Sequence, residues 1–271
     1  MSLSVKKDAH VIDMETRSKI SMRYKRITKA INKAFWNSES ETTHSIYVGS
    51  YGRGSAINTS DLDVLIELPD CEYKHFSELL GNGPSRLLQA VRKPILDTYP
   101  STDIKADGQV IVIKFSDDMK FEILPAFQQV DYWTQKITYK YPDTNMGGNW
   151  LTTDPKAEQE AIVNKNRESN GLLLDTCKHI RYIRDNYYSS YKLSGILIDA
   201  FVYSAIGIWQ FSNNEPNTGG YLSYEEYLLQ KYNEMSLHGC IAPSLYAPGS
   251  NLSIDSTKGY EILDKVLNCM V

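Results

Sequence analysis

The chain has 271 residues, 42% hydrophobic and 23% charged, which suits a globular protein with one sizeable core or two small lobes and excludes fibrous, collagenous and mainly disordered classes. Its 29 basic and 33 acidic residues leave a formal charge of −4, which provides no broad electrostatic footprint for duplex DNA or RNA, so any nucleic-acid chemistry is expected to use small nucleotides. The longest apolar runs, such as Ile196–Ile198 and Ala200–Val202, fall far short of the roughly 20 residues of a membrane helix, and no membrane association is expected. Met1–His10 carries Lys6, Lys7 and Asp8 but no apolar core or small-residue cleavage site, which predicts a cytoplasmic location. Cys71, Cys177, Cys240 and Cys269 form no CxxC pair and have no His at metal-ligand spacing, so they read as reduced thiols.

Ile20, Tyr24, Ile27, Ile31 and Phe35 recur at helical spacing and predict an amphipathic helix from about residue 10 to 36. Ser45–Gly49 reads as a strand, the following YGRGSAINTS as a glycine-rich loop, and Leu62–Leu68, closed by Pro69, as a second strand. Pro84–Thr98 predicts a helix. Gln109–Phe115, the turn Ser116–Asp118 and Lys120–Leu124 predict a hairpin whose second strand is ended by Pro125. From about residue 155 helix signals dominate. Asp154–Pro155 opens a long helix or pair of helices to about Asn186, Leu193–Phe211 reads as a buried helix, and further helices fit Ser223–Met235 and Ser256–Met270. Ser212–Gly220 and Ala242–Ser250 read as loops within this lobe. Two domains are expected, residues 1–150 and 151–271.

The chemistry concentrates in Gly49-Ser50, ten intervening residues, and Asp61-Leu62-Asp63 at the head of an apolar strand. In an extended strand residues i and i+2 share a face, so Asp61 and Asp63 present two carboxylates side by side while Leu62 and Val64 face the core. A hard divalent cation relieves their repulsion, and Mg²⁺ is commonly held by one or two carboxylates with substrate phosphates. Gly49 and Ser50 offer backbone N–H groups and a hydroxyl to a triphosphate, with Gly52 and Gly54 permitting close approach. Metal-assisted nucleotidyl transfer calls for a third carboxylate, and Glu122, an acid within the apolar strand before Pro125, is the candidate. Asp117 and Asp118 are turn formers.

These residues resemble a known pattern. Val48–Ile57 followed by Ser60-Asp61-Leu62-Asp63-Val64 is similar to the signature of the DNA polymerase β-like nucleotidyltransferases, and Gly147–Pro155 resembles a segment of one branch, the bacterial cyclic-oligonucleotide synthases, or CD-NTases, related to cyclic GMP-AMP synthase and oligoadenylate synthase. The resemblance implies an α+β fold in which a mixed-sheet core with an N-terminal spine helix packs against a C-terminal helical lobe, the nucleotides lying between. It implies that Asp61, Asp63 and Glu122 bind two Mg²⁺ or Mn²⁺ ions, with Glu122 departing from the commoner Asp, and that Gly49 and Ser50 touch the donor triphosphate. Lys178 and Arg181, three apart on one helix face, resemble a basic pair that holds the triphosphate tail, the family preferring Lys at position 181; a solvated helix face is the alternative. Ser194 resembles a serine of the nucleotide pocket. Gly195 follows it in place of an aromatic residue, so base stacking falls to Tyr51 or Tyr191. Asn166 matches a base-pocket position, with a helix-surface Asn the alternative.

The implied activity is the joining of NTPs into a cyclic dinucleotide or oligonucleotide with release of pyrophosphate, in antiphage signalling through a separate effector protein, with a regulatory protein partner conceivable. Three rivals stand beside it: transfer to a small-molecule or protein acceptor, synthesis of linear oligonucleotides, and a catalytically silent nucleotide sensor, the last motivated by Glu122.

Overall fold

Asp13 opens the first helix, α1 (Met14–Phe35), as its N-cap, its Oδ1 accepting the Thr16 N–H at 2.8 Å. The predicted stripe is the buried one: Ile20, Tyr24, Ile27 and Ile31 are all enclosed. The computed structural model describes residues 3–218 and 222–271, and the chain divides into two compact units. A sheet unit comprises residues 13–52 and 61–155, and a helical unit comprises residues 1–12, 53–60 and 156–271. The helix therefore starts at Met14 and not near residue 10, because the preceding segment packs with the other unit: Val5 is 3% exposed in the helical unit's core.

In the sheet unit, β1 (Ser45–Tyr47), β2 (Leu62–Glu67), β5 (Lys120–Val130), β4 (Val110–Lys114) and β3 (Asp103–Asp107) lie side by side in that order. β6 (Ile137–Asp143) pairs with β5 and with β7 (Asn149–Thr153). The β2–β5 pair is parallel and the other pairs are antiparallel, which makes the sheet mixed. Between β1 and β2 the expected loop contains one short helix, α2 (Gly49–Arg53). Two further helices, α3 (Asp70–Glu78) and α4 (Gly83–Thr98), follow β2, and α1 lies against α4.

Pro125 does not end β5, which continues to Val130. The β4 partners of β5 stop at Ile123 and the β6 partners begin at Phe127, so the proline falls where neither of these strands pairs. The strands β3, β6 and β7 carry too little alternation to be read from sequence; β7 is only half-buried or exposed along its length.

The helical unit is built from α5 (Pro155–Glu168), α6 (Leu172–Tyr187), α7 (Gly195–Ala205), α8 (Tyr224–Met235) and α9 (Tyr260–Met270) around a core that includes Leu173, Ile180, Leu197, Phe201, Leu228 and Leu263. Of the two expected arrangements, one long helix or a pair, the chain forms the pair: Asn170 and Gly171, with φ of +52° and +98°, separate α5 from α6. The buried helix α7 stops at Ala205, short of Phe211, because the chain turns through Gly207 (φ +56°) into the hairpin β8 (Gln210–Ser212) and β9 (Glu215–Asn217). That hairpin occupies much of the predicted 212–220 loop, whose Gly219 and Gly220 lie outside the described residues. A short pair, β10 (Leu245–Tyr246) and β11 (Ser253–Ile254), precedes α9. Among the described residues no helix is long and apolar enough to cross a membrane.

Candidate active site

The parallel register of β2 and β5 sets Leu62 opposite Phe121 and Asp63 opposite Glu122. Side chains alternate along each strand, so Leu62, Val64, Phe121 and Ile123 face the core, all at most 4% exposed. Asp61, Asp63, Lys120 and Glu122 consequently share the other face. There the Lys120 ammonium donates to Asp61 Oδ2 at 2.8 Å and to Glu122 Oε1 at 2.6 Å. Burial works against the charged amine, but the hydrogen bonds and charges of the two carboxylates outweigh it and hold Lys120 above the ordinary lysine range.

Gly49 fixes the position of the remaining acid. Its φ is +57°, and a β-carbon added there would lie 1.8 Å from Asp63 Oδ2, so the carboxylate lies directly against the glycine backbone. The Val48 N–H donates to the Asp63 carbonyl at 2.8 Å, and the Gly52 N–H donates to the Val48 carbonyl at 2.9 Å, tying the end of β1 and the start of α2 to this strand. Tyr51 packs on Tyr47 with ring centroids 4.6 Å apart, and burial raises both phenols above their ordinary range. The sheet unit thus brings Gly49, Asp61, Asp63 and Glu122 together, with Ser50 next in chain after Gly49.

The predicted residues of the helical unit are placed differently from one another. Lys178 lies 3.5 Å from Asp175 Oδ1 with its side chain 15% exposed. Arg181 departs from the expected phosphate-facing position: it is 1% exposed, with Nη1 donating to Asp199 Oδ1 at 2.7 Å and Nη2 to the Gly195 carbonyl at 2.8 Å. Spacing of three puts two residues about 60° apart around a helix, enough to leave one at the edge and send the other into the core. Asn166 Oδ1 accepts the Leu174 N–H at 3.0 Å and so bridges the α5–α6 connection. Ser194 is the N-cap of α7, its Oγ accepting from Leu197 N at 3.4 Å. It also lines a hollow of about 740 Å³ with Tyr191, Lys192 and Arg184. A larger hollow of about 820 Å³, between Ser4–Asp8 and Asn213–Thr218, is lined by none of the predicted residues.

Further residues escape sequence reasoning. Asp199, fully buried, accepts from Arg181, from Arg53 Nε at 2.9 Å and from Ser55 Oγ at 2.9 Å, while Arg53 Nη1 donates to Glu158 Oε2 at 3.0 Å. Burial alone would push the Asp199 carboxyl up; the two guanidiniums outweigh it and hold the group below the usual carboxylate range. A lone acid inside the apolar run 196–202 is the signal that could have found it. Lys120, two residues before Glu122 on the same strand face, carries no such signal, since a charge at the start of a strand reads as solvent-facing.

The family chemistry implies a divalent metal. Among the described residues no three Asp, Glu, His or Cys side chains converge as a metal-holding group. The donor set nevertheless fits a hard cation, since three carboxylates share one face and two of them already bind an ammonium through their oxygens.

A mixed sheet that presents carboxylates from two parallel strands beside a glycine turn, followed in chain by helices, has the organisation of the nucleotidyltransferase class. Residues 5–166 match the Second Messenger Oligonucleotide or Dinucleotide Synthetase domain, and the chain belongs to that family. It is 30% identical over 111 residues to a probable cyclic nucleotide synthase of Bacillus cereus (strain VD146), a match spanning 40% of this chain and 33% of that relative. The chain therefore matches about a third of that relative's length. Among solved structures, the fold resembles the Elizabethkingia meningoseptica CdnE cyclic dinucleotide synthase with GTP and Apcpp (TM-score 0.65, 13% identity, covering 96% of this chain and 93% of that one). It also resembles the STING-associated CdnE c-di-GMP synthase of Capnocytophaga granulosa (TM-score 0.64, 15% identity, covering 93% and 80%).

Proposed function

We infer that the protein is a template-independent nucleotidyltransferase that joins NTPs into a cyclic dinucleotide or cyclic oligonucleotide and releases pyrophosphate. The observation that carries this reading is the carboxylate face of Asp61, Asp63 and Glu122 set against Gly49. Gly49 and Ser50 hold the donor triphosphate through backbone N–H groups and a hydroxyl, as the family pattern assigns them. Asp61, Asp63 and Glu122 would hold Mg²⁺ or Mn²⁺, two ions per site, which supply charge that activates the attacking hydroxyl and steadies the leaving pyrophosphate. Glu122 accepts the proton of the acceptor ribose hydroxyl; the oxygen attacks the α-phosphorus, the bond to the β-phosphate breaks and pyrophosphate departs. The linear intermediate then turns over, its remaining triphosphate becomes the donor, and a second attack closes the ring. Catalysis of this kind rests on positioning and charge stabilisation.

From the family pattern Lys178 is assigned to the triphosphate tail and Ser194 and Asn166 to the nucleotide; with Gly195 in place of the family's aromatic residue, base stacking falls to Tyr51 or Tyr191. Arg181, with its guanidinium committed to Asp199 and the Gly195 carbonyl, is assigned to support of that region. A cytoplasmic site of action, antiphage signalling through an effector that binds the product, and control by a protein partner complete the proposal. The test is incubation with all four NTPs and Mg²⁺ or Mn²⁺, phosphatase treatment and mass spectrometry, with the Asp61→Asn/Asp63→Asn double variant as control. A phosphatase-resistant product with the mass of closed nucleotide units, absent from the double variant, is expected. Products that phosphatase degrades, or transfer only to a non-nucleotide acceptor, would overturn cyclisation; nucleotide binding without pyrophosphate release would favour the silent sensor.

A further inference from the structure

Lys120 has no part in the proposed chemistry, yet it occupies the centre of the carboxylate face. It immediately precedes Phe121, the partner of Leu62 in the parallel register, and its Nζ donates to Asp61 Oδ2 at 2.8 Å and to Glu122 Oε1 at 2.6 Å. Its side chain is 28% exposed, so solvent screens these contacts only in part. Two carboxylates this close repel one another when no cation lies between them. The Lys120 ammonium lowers the formal charge of the Asp61–Glu122 pair from −2 to −1 and draws the two carboxylates toward a common point.

We propose that Lys120 is a positioning residue, a built-in counter-cation that keeps Asp61 and Glu122 gathered before metal loading and that an incoming divalent ion must compete with for the same oxygens. The inference rests on the reading of Asp61, Asp63 and Glu122 as metal-binding carboxylates. A side chain that both gathers the ligands and occupies them sets metal affinity from two directions. Charge decides which prevails: a dication gains more from the Asp61–Glu122 pair at −2 than it loses from the looser placement of the two side chains. The two roles separate in the metal-free protein, where only the gathering acts.

The experiment is Mn²⁺ titration of the full chain by calorimetry or electron paramagnetic resonance, with thermal midpoints measured without metal and with saturating Mn²⁺. Lys120→Met, similar in length and uncharged, is expected to bind Mn²⁺ on the order of tenfold more tightly, about 1.4 kcal/mol, to melt lower than wild type without metal and to gain more from Mn²⁺. Lys120→Arg, which keeps the charge, is expected to hold affinity near the wild-type value; a packing role for the aliphatic stem would not divide Met from Arg in this way. Lys120→Gln is the second neutral variant should Met perturb folding. Unchanged or weaker Mn²⁺ binding in both neutral variants, with Asp61→Asn weakening it, overturns the role of Lys120 and leaves the carboxylate reading standing. Binding that Asp61→Asn and Glu122→Gln leave unaltered overturns both.

Discussion

Asp199→Asn should destabilise the protein by about 3 kcal/mol, and the structure sets out why. The carboxylate is fully buried and receives Arg181 Nη1 at 2.7 Å, Arg53 Nε at 2.9 Å and Ser55 Oγ at 2.9 Å. Asparagine keeps the shape and one accepting oxygen but removes the charge that balances two guanidiniums, themselves 1% and 7% exposed. Removing one partner of a buried ion pair costs about 3–5 kcal/mol. The lower end applies here because Arg53 retains Glu158 at 3.0 Å and Arg181 retains the Cys177 and Gly195 carbonyls. At about 2–4 °C per kcal/mol for a chain of this size, the thermal midpoint should fall by roughly 6–12 °C. The effect also has a pH signature. The Asp199 carboxyl is held below its ordinary range, so its contribution is present above the unfolded value near 4 and is lost as pH falls through the lower folded value. The gap between wild type and Asp199→Asn should therefore be full at neutral pH and narrow only in strong acid. Thermal and denaturant unfolding of both proteins measure it, and a double-mutant cycle with Arg181→Met should return a coupling of at least about 1 kcal/mol. A cost below about 1 kcal/mol at pH 7, or no coupling, would refute the network as a buried, mutually dependent set.

Two other expectations follow from positions where the backbone or a neighbouring ring fixes the outcome. Gly49→Ala puts a β-carbon onto Asp63 Oδ2 at a positive φ, so nucleotide condensation should fall by about a hundredfold while the far-ultraviolet circular dichroism stays unchanged; near-normal turnover would show that Asp63 can move without cost. In the helical unit the segment 3–12 is held by the Val5 N–H on Glu225, the Asp8 N–H on Asp175, the Leu3 carbonyl on His179 Nε2, and His10 Nε2 at 3.0 Å from His179 Nδ1. Burial first, then His179 and Lys178, lowers His10 to about 4, and burial lowers His179 as well. A depressed histidine stabilises above its unfolded value near 6.5 and loses that contribution as pH falls toward 4, so amide exchange in this segment should accelerate over that window, and the His10→Gln variant should flatten the response. Exchange with no pH dependence beyond the intrinsic chemical rate would count against it.

The part of the site built within one strand was legible from sequence. Asp61 immediately precedes β2 and Asp63 lies on it, two residues on, and the period-two alternation of an extended chain places them on one face. Glu122 stood out as an acid in an apolar strand. Its pairing with Asp63 depends on the parallel register between segments some 60 residues apart in sequence, which no local pattern encodes. Lys120 was missed for the same reason: as a strand residue it reads as a solvent-facing charge, and only the register sets it against Asp61. Pro125 misled because strand interruption was judged from one chain segment, whereas β5 changes its partner from β4 to β6 around that residue. The stop after Ala205 followed turn chemistry that sequence carries only weakly.

Arg181 and Asp199 show where local reasoning gives the wrong partner to the right observation. A basic residue three positions from Lys178 was read as a companion on an open face, while the isolated acid in the most apolar helix drew no inference. The same cost argument that singled out Glu122 applies to Asp199, because an acid among Ile198, Ala200 and Phe201 needs compensation. What separates the two is the supply of counter-charge. Asp199 has two arginines bonded to its carboxylate within the buried core, so its charge is satisfied by the protein itself. Glu122 shares one ammonium with Asp61 at a half-open face, so one positive charge stands against two carboxylates there. The balance of fixed charges around a buried or half-buried acid, and not the oddity of the acid in its sequence, is what divides a structural carboxylate from one available to chemistry.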